Sequence, residues 1–191
     1  MTSEPFEPLL TTRLRLRCVA PEDAAATSSL MTPGVSRWLA SWPLPFTREM
    51  ALARIEKIRR LAFRGHALPF AVTDKTDGRL LGWVILERND KSRSSASLGF
   101  WLGEEHHGKG YMREIAPVVI AAGFELLALD VIEAGAQVDN LGSFAVMKAC
   151  GMKPIGGRSI YAPARDRDEL CHFYEVRRSG NQSLKGEHRN G

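Results

Sequence analysis

The sequence predicts a single domain of mixed α/β (α+β) class, and three observations indicate this. Polar and apolar residues alternate from 13 to 19, as in a half-buried β-strand. Apolar residues recur at helical spacing between 52 and 62. A turn with two glycines at 107–112 joins a strand-like segment to a second helical pattern. The length of 191 residues fits one domain, and neither a repeat nor a second domain is visible.

Helices and strands alternate through the first half of the chain. After the strand at 13–19 we predict a short helix at 21–31, with a proline in its first turn. The aromatic and proline-rich segment 38–46 is predicted to be a loop, and Thr47 to cap the helix that carries the apolar stripe. Three further strands are predicted at 68–73, 80–87 and 95–102, separated by turns at 76–78 and 89–94.

The glycine turn opens a helix that is predicted to run to Leu127. Pro117 lies inside it, where the missing backbone N–H and the ring clash cost about 3 kcal/mol. Because the apolar pattern resumes at Val118, we expect a kink or a local opening near Arg113 rather than the end of the helix. The remaining predicted elements are a strand at 131–138, a helix after Asn140, strands at 153–161 and 170–177, and a charged loop at 165–168.

Residues 1–10 are predicted to be an N-terminal extension, 11–178 the folded domain, and 179–191 a disordered tail that is polar and rich in glycine. The first residues show no basic region followed by an apolar core, and no apolar stretch approaches the roughly 20 residues that span a bilayer. The three cysteines are sparse and lack CxxC spacing, which favours reduced thiols in a cytoplasmic protein.

The net charge of +4 and the pI near 9.1 raise the question of a nucleic-acid partner. Lysine and arginine are spread along the chain without a long basic block, and aromatic residues are not interleaved with them, which argues against one. Mild basicity also suits a protein that binds a polyanionic cofactor. A metal site is poorly supported, since His106, His107 and His172 have no acidic or cysteine partner at ligand spacing.

The segment from His106 to Met112 is the most informative part of the chain. Gly108 and Gly110 permit a tight turn, because glycine adopts positive φ without a Cβ clash. A helix that starts there leaves its first N–H groups without intrahelical partners, and these attract a phosphate or pyrophosphate. Lys109 adds a cation beside them. Taken alone, the segment is equally well explained as a tight strand-to-helix turn without a ligand.

A second motif follows the strand at 131–138. Asn140 is a good N-cap for the next helix, and Gly151 stands where a left-handed C-cap belongs. The chain opens with Thr11-Thr12-Arg13-Leu14-Arg15-Leu16-Arg17, followed by Pro21-Glu22-Asp23-Ala24. Together with the glycine turn, this order of motifs resembles the GNAT superfamily of acetyl-CoA-dependent N-acetyltransferases, and within it the RimJ/RimL-like group. The resemblance extends from Thr11 to Arg178.

The resemblance implies an enzyme that transfers an acetyl group from acetyl-CoA, as cosubstrate and without a metal, to a primary amine. The amine is either a protein or peptide N-terminus or a small molecule, and it attacks directly in a ternary complex. The resemblance also implies the GNAT fold, a central, mostly antiparallel, twisted sheet with two splayed parallel strands, flanked by helices. The alternative is a non-catalytic module of this fold that binds or senses acyl-CoA. A monomer and a homodimer both remain open.

The same resemblance implies where the cofactor binds. The pantetheine arm is expected between the strands at 95–102 and 131–138, with a backbone N–H near Trp101 or Leu102 beside the thioester oxygen. Asn140 matches the family's asparagine that hydrogen-bonds this arm. The residues expected to hold the pyrophosphate are His107, Gly108, Lys109, Gly110, Tyr111 and Met112.

Ser143 is the candidate catalytic residue. Several GNAT relatives place a tyrosine seven residues after the asparagine to protonate the leaving thiolate, but this chain has Met147 there, and a thioether cannot donate a proton. The RimL-like group instead carries a serine three residues after the asparagine, which matches Ser143. Its hydroxyl is expected to bind the cofactor's departing sulfur. The alternative is a structural hydroxyl in the first helical turn.

The general base is not identified by the sequence. Many relatives have a glutamate in the fourth strand, two residues before a glycine, and Ser97 occupies the matching position. Serine is not a base at neutral pH. The candidates for a replacement are Glu104, Glu105, His106 and His172. Adjacent histidines are equally explained as exposed loop residues, and the two glutamates as complements of a helix N-terminus.

The acceptor is expected to enter beside the loop 38–46 and the charged loop 165–168. Trp38, Trp42 and Phe46 either pack on a substrate or pin their loop to the core. The acidic residues of the charged loop either attract an amine or belong to a solvated loop of mixed charge.

Overall fold

The computed structural model describes residues 4–90 and 92–179. Within them, eight strands form one sheet in the order β1-β2-β3-β4-β5-β6-β8-β7, and every neighbouring pair is antiparallel except β5 and β6. This confirms the predicted mixed fold with one parallel pair. The strands are β1 Leu9–Leu10, β2 Leu14–Cys18, β3 Ala67–Asp74, β4 Leu80–Asn89, β5 Ser92–Leu102, β6 Val131–Gln137, β7 Lys153–Ala162 and β8 Arg167–Arg177.

Five α-helices cover the two faces of the sheet. They are α1 Ala24–Leu30, α2 Pro33–Ser36, α3 Arg48–Phe63, α4 Tyr111–Leu126 and α5 Leu141–Ala149. One hydrophobic cluster joins α1 and α3 to one face of the sheet, and a second joins α4 and α5 to the other. The core therefore has two layers of side chains with the sheet between them, as a sheet buried on both faces requires.

The long helix α3 follows its predicted pattern closely. The Thr47 hydroxyl accepts a hydrogen bond of 3.2 Å from the amide of Met50, which confirms the predicted N-cap. Four of its residues, spaced by three or four positions, are buried against the sheet: Ala51, Ile55, Ile58 and Ala62. The helix thus turns one apolar stripe to the core and leaves its polar face in solvent.

Four elements differ from the sequence prediction. Strand β8 begins three residues early, at Arg167, inside the predicted charged loop 165–168. Strand β1 pairs with β2 inside the predicted N-terminal extension, and the Phe6 ring lies 5.0 Å from the Phe70 ring. Helix α2 is a single turn, too short for a periodic pattern to reveal. Strand β5 begins three residues early, at Ser92, because Asn89 bridges the two strands by hydrogen bonds to the hydroxyls of Ser95 and Ser97.

Helix α4 runs through Pro117 without an interruption, as predicted. Pro117 and Arg113 both lie on its exposed side. The Arg113 carbonyl, which loses its usual N–H partner to the proline, therefore faces solvent, where water can take the place of the missing donor. This location explains why the proline is tolerated, and a kink near Arg113 stays a prediction.

Among the described residues, no helix is long and apolar enough to cross a membrane. The cysteines Cys18, Cys150 and Cys171 are all free thiols. Most of the predicted disordered tail, residues 180–191, lies outside the described residues.

Candidate active site

The parallel strands β5 and β6 separate along their length. They are paired only from Ser95 to Ser97 on β5 and from Val131 to Glu133 on β6. Beyond these residues β5 continues to Leu102 and β6 to Gln137 without pairing to each other. The result is a gap in the sheet at the carboxyl ends of both strands, as predicted for this pair.

Backbone amides of β5 line the gap. Gly103 donates its N–H to the Leu81 carbonyl at 2.9 Å. Along a strand, every second backbone amide is directed toward the same neighbouring strand. The Trp101 amide is therefore directed toward β4, like that of Gly103, whereas the amides of Phe100 and Leu102 are directed toward β6. Of the two amides proposed from the sequence, the register therefore favours Leu102, and it adds Phe100.

His107 fixes the mouth of the gap. Its Nε2 lies 2.8 Å from the Leu102 carbonyl oxygen. Because a carbonyl only accepts hydrogen bonds, Nε2 must carry the proton in this contact. The histidine ring thereby ties the glycine turn to the last residue of β5.

The glycine turn has the predicted backbone conformation. Gly108 and Gly110 have φ values of +72° and +76°, in the left-handed region, and α4 begins directly afterwards at Tyr111. No side chain of the described residues caps this helix start. Its first N–H groups are therefore free to bind an anion, as expected for a pyrophosphate site.

Residues of the opening motif brace this turn. Arg13 Nε lies 2.7 Å from Glu114 Oε2, Arg13 Nη1 donates to the Lys109 carbonyl at 3.0 Å, and the guanidinium stacks 4.5 Å above the Tyr111 ring. Thr11 Oγ1 donates to Glu114 Oε1. Burial raises the pKa of Glu114, but hydrogen bonds from Thr11 and Arg13 outweigh it and lower the pKa. These contacts neutralise a carboxylate in the first turn of α4, close to the anion site.

Asn140 and Ser143 lie together at the start of α5. Asn140 Oδ1 accepts a hydrogen bond of 3.1 Å from the Ser143 amide, which confirms the N-cap. This contact leaves the Asn140 amide group with its two donors. The Ser143 hydroxyl makes no hydrogen bond to any described residue. Met147 is 1% exposed and belongs to the core, so its side chain does not approach the site.

A cavity of about 1110 Å³ joins these elements. The predicted residues that line it are Trp101, Leu102, His107, Gly108, Gly110, Tyr111, Met112, Asn140 and Ser143. Lys109 is the exception: its side chain is exposed, and its carbonyl is bound by Arg13. The structure thus brings all but one of the proposed cofactor residues to a single cavity.

The same cavity extends over the face of the sheet that α1 and α3 cover. Trp38 and Trp42 line it, whereas Phe46 does not. Trp42 and Phe46 are buried in an aromatic cluster with Trp83 and Trp101. The interpretation that their loop is pinned to the core is therefore confirmed for these two residues, and Trp42 also presents a surface to the cavity.

The charged loop is not a free solvated loop. Arg165 pairs with Glu169 at 2.7 Å and donates to the carbonyls of Ser36 and Leu39 at 3.1 and 3.2 Å. Hydrogen bonds from Arg165 first, and from Arg167, lower the pKa of Glu169 to about 2. The two predicted acceptor-side loops are thus joined, and Glu169, which lines the cavity, is too weak a base to take a proton near neutral pH.

Of the four base candidates, His106 alone lines the cavity. It is 3% exposed, and burial lowers its pKa. Its Nε2 lies 3.2 Å from Glu105 Oε1, but outside hydrogen-bonding geometry. His106 Nε2 and Trp101 Nε1 are the two buried side-chain polar atoms of the described residues that have no partner, and both residues line this cavity.

Sequence reasoning missed Glu87 and Arg54, which also line the cavity. Each belongs to an element that was predicted correctly, but the sequence gives no cue to the face it occupies. Strand β4 is a continuous apolar run up to Glu87. It therefore lacks the alternation of polar and apolar residues that would predict which face of the sheet Glu87 occupies. Within the residues described, no cluster of three potential metal ligands occurs.

Comparison with known proteins decides the family. The acetyltransferase (GNAT) domain model matches residues 13–153. The chain is a GNAT acetyltransferase. An N-acetyltransferase called p20 from Bacillus licheniformis, itself uncharacterized, is 30% identical over 165 residues, which cover 85% of this chain and 91% of that protein.

Solved acetyltransferases share the fold of this GNAT enzyme. RimJ of Mycobacterium smegmatis, solved with a CoA-disulfide, superimposes with a TM-score of 0.78 at 20% sequence identity. The match covers 93% of this chain and 88% of the RimJ chain. The ribosomal-protein-S5-alanine acetyltransferase of Vibrio fischeri has a TM-score of 0.77 at 23% sequence identity. That match covers 92% of this chain and 98% of the Vibrio chain. Structural neighbours with CoA or acetyl-CoA bound show that this fold holds the cofactor.

Proposed function

We propose that this GNAT acetyltransferase transfers the acetyl group of acetyl-CoA to the N-terminal amine of a peptide or protein. The observation that carries the proposal is the single cavity that runs from the glycine turn, through the gap between β5 and β6, to the face under α3. Cofactor and acceptor can therefore meet within one continuous cavity. The acceptor class follows solved structures of this fold, which are named for ribosomal-protein N-acetylation.

The first part of the site is proposed to hold the cofactor. The free amides at the start of α4 and the turn at Gly108–Gly110 would bind the pyrophosphate. The pantetheine arm would replace the missing strand pairing in the gap, with the amides of Phe100 and Leu102 as donors. Asn140, whose carbonyl oxygen is used by the helix cap, has amide donors for the same arm.

The second part is proposed to perform the transfer. The amine nitrogen bonds to the thioester carbon, the carbon–sulfur bond breaks, and the sulfur needs a proton as it leaves. Ser143 lines the cavity with a hydroxyl that no described residue engages, so it is free to donate to that sulfur. A structural role for this hydroxyl in the helix cap is not supported, since the Ser143 amide makes the capping contact.

The experiment is a thiol-release assay with acetyl-CoA and a panel of amines. The panel contains peptides with free N-termini, the same peptides with blocked N-termini, polyamines and aminoglycosides. We expect release with the free peptides, loss of release on blocking, and a mass increase of one acetyl group at the N-terminus. Turnover confined to polyamines or aminoglycosides would assign a small-molecule acceptor instead. Binding of acetyl-CoA without turnover of any amine would support the non-catalytic alternative.

A further inference from the structure

Ser97 lies between two carboxylates on one face of the sheet. Its partner on β4 is Glu87, and its partner on the parallel strand β6 is Glu133. Directly opposite residues of neighbouring strands project to the same face, so the three side chains form one row across the sheet. The Ser97 hydroxyl is engaged, because it donates to Asn89 Oδ1 at 2.8 Å. A carboxylate is thus available one strand away from Ser97 on either side.

The two carboxylates differ in what holds them. Glu133 is bound by the Arg158 guanidinium and does not line the cavity. Glu87 lines the cavity, is exposed, and makes no ion pair with any residue in the described ranges. An ion-paired carboxylate accepts a proton less readily than an unpaired one. Glu87 is therefore the carboxylate of the pair that water in the cavity can reach without displacing an ion pair.

One cation of a neighbouring helix lies close enough to act on Glu87. Arg54 of α3 is the charged group that acts on it from a neighbouring element, while β3 presents Ala67 and β5 presents Ser97. Arg54 is itself anchored, with its guanidinium 4.2 Å above the Trp42 ring and bonded to the Ser41 carbonyl. Arg54 therefore lines the cavity beside Glu87, and among the described residues the two side chains form no close ion pair.

Three of the other titratable side chains that line the cavity are less suited to the task. Glu169 is committed to Arg165 and Arg167. His107 uses Nε2 for the Leu102 carbonyl at the mouth of the gap. His106 is buried beyond the end of β5, whereas Glu87 is exposed on the acceptor face of the sheet.

We propose that Glu87 is the group that accepts the proton from the acceptor amine. This inference rests on the proposed function, since it concerns the same transfer. Before the attack, one N–H bond of the protonated amine breaks and its proton passes through water to a Glu87 carboxylate oxygen, which later returns it to solvent. The neutral nitrogen then bonds to the thioester carbon, and as the carbon–sulfur bond breaks, a second N–H proton is lost and the sulfur gains one through Ser143 or water. Water is needed because Phe100, at the gap, lies three residues from Ser97, or roughly 10 Å along the strand.

The test compares Glu87→Gln with Glu133→Gln, the matched control on the other side of Ser97. The kcat/KM for a free-amine peptide that the wild type acetylates is measured from pH 6.5 to 9, together with the Kd for acetyl-CoA and the melting temperature. For Glu87→Gln we expect a loss of about 100-fold at pH 7 that shrinks below about tenfold at pH 9, where the amine arrives largely neutral. For Glu133→Gln we expect less than about a threefold change at either pH. The Kd should be unchanged in both.

A third variant tests the location of the charge. Glu87→Gln/Ser97→Glu moves the carboxylate one strand across the same row and should recover about tenfold or more of the activity lost at pH 7. Three results would overturn the proposal: a wild-type pH profile in Glu87→Gln, a deficit that is equal at all pH values with a lower melting temperature, or a pH-dependent deficit in Glu133→Gln.

The same measurements distinguish a failure of the proposed function from a failure of the Glu87 proposal. A wild type that acetylates small amines but no peptide would contradict the peptide acceptor, and the same three variants would then test Glu87 with that amine. A wild type that transfers no acetyl group to any amine would overturn both proposals.

Discussion

Arg13, directly before β2, and Glu114 of α4 form an ion pair of 2.7 Å between the opening motif of the chain and the helix that starts at the glycine turn. Arg13 also binds the Lys109 carbonyl inside that turn. Arg13 therefore links two segments that are far apart in the sequence. Its contacts neutralise the Glu114 carboxylate near the proposed pyrophosphate site and hold the glycine turn against the sheet.

The first prediction is that Arg13→Ala weakens acetyl-CoA binding about tenfold, or about 1.4 kcal/mol. The reason is that Glu114 is left unpaired at a site that has to accept an anion. Calorimetry with acetyl-CoA measures the change. Arg15→Ala, at an exposed arginine two residues further along the chain in β2, is the control. The double variant Arg13→Ala/Glu114→Ala should recover most of the affinity, and a double variant as weak as Arg13→Ala would contradict the electrostatic explanation.

The second prediction concerns Gly110. A Cβ there would meet no atom closer than 3.8 Å, so space is available, but the φ of +76° is one that a β-branched residue resists. Gly110→Val should raise the Kd for acetyl-CoA tenfold or more, about 1.4 kcal/mol. Gly110→Asn is the matched control, because asparagine tolerates this conformation, and its Kd should change less. Unchanged binding by a folded Gly110→Val protein would remove the turn from the cofactor site.

The motifs predicted the local backbone geometry of the proposed cofactor half well because each of them is local. The positive φ of Gly108 and Gly110 and the cap of Asn140 depend on a few neighbouring residues, and all were found. The parallel pair was placed correctly from the family resemblance. Whether the Lys109 side chain points into the cavity depends on how the turn is rotated, which the local sequence does not encode, and in the structure Arg13 binds the Lys109 carbonyl.

The acceptor half could not be predicted in the same way. Whether Glu87 lies opposite Ser97 depends on the register of β4 and β5, which shifts by a bulge between Arg88 and Asn89. A shift of one residue would turn Glu87 to the opposite face. The Arg165 contacts with the loop at Ser36 and Leu39 join segments more than a hundred residues apart. No local pattern encodes either relationship.

The third prediction is that His106→Gln and His107→Gln leave the acid limb of the activity profile unchanged. His107 acts through a hydrogen bond to the Leu102 carbonyl, which a glutamine amide can also donate, so only the apparent affinity for acetyl-CoA should change. Burial lowers the pKa of His106, so it is neutral near pH 7, but its Nε2 lies deep in the protein. Loss of the acid limb in either variant would identify that histidine as the base.

The fourth prediction uses the pKa of about 2 at Glu169. A carboxylate whose pKa is lowered by folding stabilises the native state above its unfolded value of about 4.3 and loses that contribution as the pH falls toward 2. Because Arg167 is exposed and screened, we expect Glu169→Gln to cost about 1 to 2 kcal/mol at pH 7. Denaturant titrations at several pH values should show the difference from wild type narrowing between pH 5 and pH 3. A difference that stays constant would indicate lost packing rather than lost charge.

The fifth prediction is that Ser143→Ala lowers turnover and leaves the Kd for acetyl-CoA nearly intact. A group that donates to the departing sulfur interacts more strongly as charge develops there, so its loss affects the transition state. The expected reduction of kcat is about 10- to 100-fold, or about 1.4 to 2.7 kcal/mol.

The helix cap at Asn140 allows the Ser143→Ala experiment to separate a loss of catalysis from a loss of stability. Asn140 binds the Ser143 backbone amide, which alanine retains, so the melting temperature of Ser143→Ala should match that of the wild type. Ser143→Thr, which keeps a hydroxyl, should retain more of the activity. Turnover is measured at saturating acetyl-CoA and acceptor, beside the melting curve of each variant. Wild-type turnover in Ser143→Ala would end its catalytic assignment and leave solvent as the proton donor to the thiolate.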